Sequence, residues 1–161
     1  MKRFLCTLLL LVFFAGCGAS DTPGKNTVSF YYPRQSFRYT SPDGSMGREL
    51  RELTDRADDL NYLIHLYLLG PQNENLIAIF PRTTQLLSAE LAENTLTIHL
   101  SSGSSTLSDI QFTLAAAGLA RSCLEFSAAQ TVVIHCGDRE ITLDSTNMLF
   151  TDESAALETE E

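Results

Sequence analysis

The chain is poor in lysine, with only Lys2 and Lys25, has no tryptophan, and carries four cysteines in 161 residues. Its basic side chains are outnumbered, 11 against 20 acidic ones, for a net charge of −9. Such a balance gives no attraction to nucleic acid or to an anionic lipid surface through the net field. The scarcity of lysine also disqualifies Ser101–Ser108 (SSGSSTLS) as a phosphate cradle, since that run has one glycine and no lysine. No G-x-S-x-G or S-x-x-K supplies an activated serine. No H-x-x-x-H, H-E-x-x-H or C-x-x-C spacing supports a metal, so neither a metal nor a cofactor is expected. His65, His99 and His135 lie apart in the sequence and read as surface or half-buried side chains, although His99 and His135 would meet if their strands were neighbours. No carboxylate pair has a recognisable acid–base spacing, and the chain does not read as an enzyme.

One apolar run stands out, Phe4–Ala15, and it is too short for a bilayer span, which needs roughly 20 residues. Lys2 and Arg3 precede it, and Phe14-Ala15-Gly16-Cys17 follows. A positive start, a short apolar stretch and small residues before a cleavage point make an export signal. The cysteine at the end resembles the box read by lipoprotein signal peptidase, with Phe14 in place of the usual leucine. The resemblance implies cleavage between Gly16 and Cys17 and a thioether-linked diacylglycerol on Cys17. Two acyl chains give stable anchoring. Cleavage would remove two positive charges, deepening the negative balance. It divides the chain into a signal (1–16), a lipidated cysteine with a small polar tether (17–26), a domain (27–145) and an acidic tail (146–161). Nine tether residues reach about 30 Å at most, which keeps the domain close to the extracytoplasmic face of the membrane. The tail, with five acids between Asp152 and Glu161 and no aromatic residue among them, reads as solvated and disordered.

Within the domain, Thr27–Tyr32 (TVSFYY) reads as a strand between Asn26 and Pro33. Phe37–Tyr39 and Glu49–Leu53 are weaker strands that the turn chemistry of SPDGSMG would pair as a hairpin. Arg56–Leu69 reads as a helix because Leu60, Leu63, Ile64, Tyr67 and Leu68 recur on one face. Asp55 is its expected cap, and Gly70-Pro71 its stop. Leu86–Leu91 and Thr95–Leu100 alternate around a polar turn and form a hairpin. Ser108 and Gln111 stand in capping-box spacing before a second helix, Ser108–Leu124, whose small residues Ala115–Gly118 would let it lie close to a sheet. Thr131–Cys136 and Arg139–Leu143 follow as strands around Gly137-Asp138. The expected class is α+β: a mixed or antiparallel sheet with two helices packed on one face, in the order αββαβ with extra strands at both ends. If the strand after the second helix runs back along it, Cys123 and Cys136 lie on the order of 20 Å apart. A disulfide needs Cα atoms within about 7 Å, so two buried thiols are expected.

Gly70-Pro71, Phe80-Pro81 with Thr83 and Thr84, the strand pair after them and Ile134–Ile141 (IHCGDREI) together resemble the GerMN domain of sporulation and germination lipoproteins. Arg82-Thr83-Thr84 stands where that family has a glycine-containing turn, Cys136 displaces an expected acid, and the chain has room for one copy of the domain. The resemblance implies a fold like that of ring-building modules in envelope complexes and a non-enzymatic assembly role, with other envelope proteins or further copies as partners. A small-molecule or wall-fragment binding lipoprotein, or an enzyme accessory module, is the alternative. For partner binding, Arg34, Arg38, Arg48, Arg51 and Arg56 are interspersed with Tyr31, Tyr32, Phe37 and Tyr39. Arginine and tyrosine are enriched at interface anchors. The same cluster also fits an ordinary surface balanced by Asp43, Glu49, Glu52 and Asp55.

Overall fold

The computed structural model describes residues 26–35 and 45–146. Residues 1–25, which hold the signal, Cys17 and nearly all of the tether, residues 36–44, and residues 147–161 of the acidic tail lie outside the described residues, and with them Gly16, Phe37, Arg38 and Tyr39. The elements run β1 (Thr27–Pro33), β2 (Met46–Glu52), α1 (Leu60–Leu68), β3 (Leu86–Ala92), β4 (Thr95–Leu100), a 3-10 turn (Ser102–Ser104), α2 (Asp109–Phe126), β5 (Thr131–Cys136) and β6 (Arg139–Asp144). This is the expected α+β fold, with its strands divided between two sheets. β1 and β2 form an antiparallel pair, and the other four form a mixed sheet in the order β3-β4-β5-β6.

The four-stranded sheet follows from the alternation of its sequence. Leu96, Ile98 and Leu100 of β4 and Val132, Ile134 and Cys136 of β5 are buried on one face. The residues between them look outward, as a period of two requires. β4 and β5 are parallel, and a parallel pair needs a long crossover, here supplied by α2. Ala115, Ala116, Leu119, Ala120 and Cys123 of α2 and Leu63, Ile64, Tyr67 and Leu68 of α1 join the buried face of the sheet in one core.

Two expectations from the sequence are corrected. Helix α1 begins at Leu60, four residues later than the pattern suggested, and Asp59 is its cap: the carboxylate accepts the Tyr62 N–H at 3.0 Å. Arg56 has φ +58°, outside the helical region, and its guanidinium bonds Asp59 Oδ2 at 2.7 and 3.0 Å. Asp55 is thus one turn too early. The first hairpin joins β1 to β2, with Val28 opposite Arg51 and Tyr32 opposite Gly47; among the described residues the Glu49 strand pairs with the Thr27 strand, and the expected Phe37–Tyr39 strand lies outside them. The other end of α1 is as expected. Gly70 has φ +94°, a conformation that glycine alone adopts without strain, and its N–H bonds Tyr67 O at 3.0 Å.

The small residues of α2 do bring it against a sheet, and the contact is with the free edge of β1. Ser122 Oγ accepts the Tyr31 N–H at 2.8 Å and donates to Gly118 O at 2.8 Å. A Cβ on Gly118 would stand 2.8 Å from Tyr31 O and 2.6 Å from Tyr67 Oη. Helix α2 therefore covers a strand edge and satisfies one of its donors, a role open only to a helix bare of side chains at that point.

Candidate interaction surface

The predicted arginine cluster is divided by the pleat of β2. Gly47, Glu49 and Arg51 point inward; Arg48, Leu50 and Glu52 point outward. Arg51 is 7% and Glu49 8% exposed, so Arg51 is not presented to a partner. Its Nε bonds Glu49 Oε1 at 2.6 Å, and its terminal nitrogens reach Gly70 O at 2.7 Å, Leu66 O at 3.3 Å and Tyr32 Oη at 3.3 Å. The guanidinium also lies 4.8 Å from the Phe30 ring centroid. Glu49 Oε2 accepts the N–H groups of Gln72 and Asn73 at 2.8 and 2.7 Å. The pair thus binds β2 to the last turn of α1 and to the loop after it. A cation is favoured at that end of a helix, where carbonyls are left over.

Arg48 belongs to the surface. Its Nε donates to Ser29 Oγ at 3.0 Å, and its guanidinium lies 3.5 Å from Glu125. Glu125 also accepts the Tyr31 hydroxyl, and Arg121 lies 4.7 Å over the Tyr31 ring. Burial, helped by Glu125, pushes the Tyr31 hydroxyl above its ordinary pKa. Arg34 donates to Met46 O at 3.3 Å. Arg56 remains with Asp59 and stacks 4.2 Å from the Tyr62 ring. The described arginines of the cluster therefore serve four separate local structures, and Arg48 and Arg56 are the ones exposed to solvent.

Strands β4 and β5 do bring His99 and His135 together. They are register partners, with rings stacked 4.4 Å apart on the outward face of the sheet, and His135 Nδ1 is 3.3 Å from Glu140. Among the described residues, no three of His, Cys, Asp and Glu stand together as a metal site. Cys123 and Cys136 are free and buried. Burial pushes the Cys123 thiol up, while Cys136 Sγ bonds Ser101 O at 3.0 Å and touches Ser104 Oγ.

Two features escaped the sequence. The first is the edge of β3, where Leu87 is 66% and Leu91 40% exposed. The second lies beside it, a cleft of about 340 Å³ lined by His65, Leu68, Leu69, Arg82, Thr84, Gln85 and Leu86. Leu69 is 63% exposed at its rim. The Thr84 hydroxyl is buried without a hydrogen-bond partner, and Arg82 has no ion pair or hydrogen bond among the described residues. The alternating LLSAELA of β3 signals a half-buried strand, and the exposed leucines at the edge of the sheet appear only once the strand order is known.

The described residues thus form an α+β module with two helices, a buried Arg51–Glu49 pair joining β2 to the end of α1, and a β3 edge that no described strand pairs. A family model described as "Germane: Sporulation and spore germination" matches residues 29–142, and the chain belongs to that family. The fold is that of the tandem GerMN domains of the sporulation protein GerM from Bacillus subtilis, with TM-score 0.52 and 13% identity. The match covers 70% of this chain and 39% of GerM, so this chain spans about two fifths of that protein's length. A Clostridium perfringens structure described as that of a lipoprotein matches with TM-score 0.46 and 16% identity over 74% of this chain and 87% of that one. No curated protein matches the sequence.

Proposed function

We propose that the protein is a lipid-anchored, non-enzymatic module that assembles with other envelope proteins or with further copies of itself, in sporulation or germination. Cys17 would carry the anchor and hold the domain at the extracytoplasmic face of the membrane. The observation that carries the assembly reading is the edge of β3, where exposed Leu87 and Leu91 flank backbone that no described strand pairs. Such edges are normally blunted by lysine or proline or by a covering element, and β3 contains neither residue. Family membership supports the sporulation or germination setting. Crosslinking of the full chain in its intact membrane, followed by extraction and mass analysis, tests the reading. Complexes containing this chain are the expected result, and isolated monomers throughout would overturn it.

The cleft supports a second reading, a binding lipoprotein for a small molecule or wall fragment. Arg82 and the Thr84 hydroxyl, without hydrogen-bond partners among the described residues, lie with Leu68, Leu69 and Leu86 in its lining, a mixture typical of ligand sites. A thermal-shift screen with wall fragments checks it: a stabilising fragment whose effect disappears in Arg82→Ala favours binding over assembly.

A further inference from the structure

We propose that the partner at the β3 edge is a second copy of this chain, paired β3 to β3 in antiparallel fashion about a two-fold axis through Ala89. The proposal rests on the assembly reading and names its surface and occupant. A two-fold interface must be self-complementary, and the sequence of β3 meets that condition in one register. Centred on Ala89, the strand sets Ser88 opposite Glu90 of the second copy and Leu87 opposite its Leu91. Moving the axis to Glu90 would set that carboxylate against its own copy, and directly opposed like charges are destabilising. Moving it to Ser88 would set Glu90 against Leu86. The Ala89 register avoids both.

The surroundings of the strand fit the same arrangement. A two-fold axis perpendicular to the sheet keeps each copy's helices on the same face, so Ala89 and Leu91, register partners of the buried Ile98 and Leu96, continue the apolar face across the seam. Leu91 of the second copy then arrives beside the cleft of Leu68, Leu69 and Leu86, whose open side no described residue fills. The turn after β3 carries Glu93 of the second copy toward the end of the strand where Arg82 has no hydrogen bond or ion pair among the described residues. By symmetry this opposite-charge approach occurs twice. The irregularity between Leu86 and Ser88 confines the pairing to Leu87–Leu91, and bulges of this kind end strand pairing. That keeps the contact between two copies and stops it from extending along the strand. At the opposite edge, β6 carries Arg139, Glu140 and Asp144 in six residues, charges that resist the same pairing.

The test uses the full chain in its own membrane. Directly opposed residues of an antiparallel pair have Cα atoms about 4.5–5.5 Å apart, within disulfide range, so Ala89→Cys places two thiols across the axis. Cys123 and Cys136 are buried and stay out of the reaction. Mild oxidation is expected to convert A89C to a reductant-sensitive dimer, while the unsubstituted chain and Glu140→Cys, at the far edge, remain monomeric on the gel. Adding Leu87→Lys and Leu91→Lys to A89C is expected to abolish the dimer formed on oxidation in the membrane while keeping the circular dichroism of the parent. No A89C dimer, or equal crosslinking from E140C, overturns the proposal. If A89C fails to crosslink but chemical crosslinking in the membrane joins this chain to another protein, the assembly reading stands without the two-fold contact. Monomers in both experiments remove the two together.

Discussion

The residue that most governs the fold is Arg51, and its importance comes from where its partners lie. The guanidinium and Glu49 are sealed from water by β1, β2 and the end of α1, and their remaining hydrogen-bonding capacity is taken up by Leu66 O, Gly70 O and the N–H groups of Gln72 and Asn73. Removing one member leaves an uncompensated buried charge. Arg51→Ala is therefore expected to lose about 3–5 kcal/mol, a large share of the 5–15 kcal/mol typical of a domain. Urea unfolding measures it. Replacing both members, as Glu49→Leu with Arg51→Met, is expected to cost less than either alanine single variant, because no charge is then stranded. A second residue prediction concerns Gly118. Alanine would improve helix propensity by about 1 kcal/mol, but its Cβ would fall within 2.8 Å of the Tyr31 carbonyl, a backbone atom. Overpacking of this kind costs about 1–3 kcal/mol. Gly118→Ala is accordingly expected to lower the melting temperature, and a rise would show that α2 and β1 can separate freely.

Among the elements, those whose pattern is local were legible in the sequence, and those set by distant partners were not. The Ser108–Gln111 capping box forms as its spacing predicts, with both reciprocal bonds present, since everything it needs lies within four residues. Strands β3 to β6 follow from alternation and turn residues alone. The start of α1 was misplaced because Asp55, Asp58 and Asp59 offer competing caps, and the choice is made by Arg56, which leaves the helical region and grips Asp59. In β2, Met-Gly-Arg-Glu-Leu-Arg-Glu places charges on both faces, so a period of two cannot say which arginine is interior. The answer lies in the carbonyls of α1, which the strand's own sequence does not contain. The cap makes a specific prediction. Hydrogen bonds from the Tyr62 N–H and from Arg56 hold the Asp59 carboxyl below its ordinary pKa. The stabilisation is thus present above the unfolded carboxyl pKa near 4 and is lost as the pH falls through the lower folded value. Asp59→Ala is expected to lower the melting temperature at neutral pH and to narrow that deficit in acid, whereas Asp55→Ala should leave melting near that of the parent. Circular dichroism melts across pH separate the two. An equal effect of both variants would return the cap to Asp55.

At the scale of the whole molecule, the anchor and the open edge bear on one another. A pairing of about five residues on each side is too small to be stable between dilute soluble chains, since association costs at least 4 kcal/mol in lost translational and rotational freedom. Confinement changes that balance. Chains held within tens of ångströms of one surface meet at a raised effective concentration, so that contacts too weak in solution become populated. On the proposed reading, Cys17 therefore contributes to assembly as well as to address, although it lies far along the chain from β3. Cys17→Ser separates the two contributions. The described core is built by residues from Val28 to Leu143, so the variant is expected to fold with the parent's circular dichroism and melting temperature. It should leave the membrane fraction and lose its in-cell crosslinked complexes at the same cellular level. Tethering the variant through an unrelated transmembrane helix is expected to restore the complexes, because confinement and not the lipid itself is what the edge requires. Full assembly and full activity of the released form in cells would show that the β3 contact is strong enough alone, and the anchor would then serve only to locate the protein.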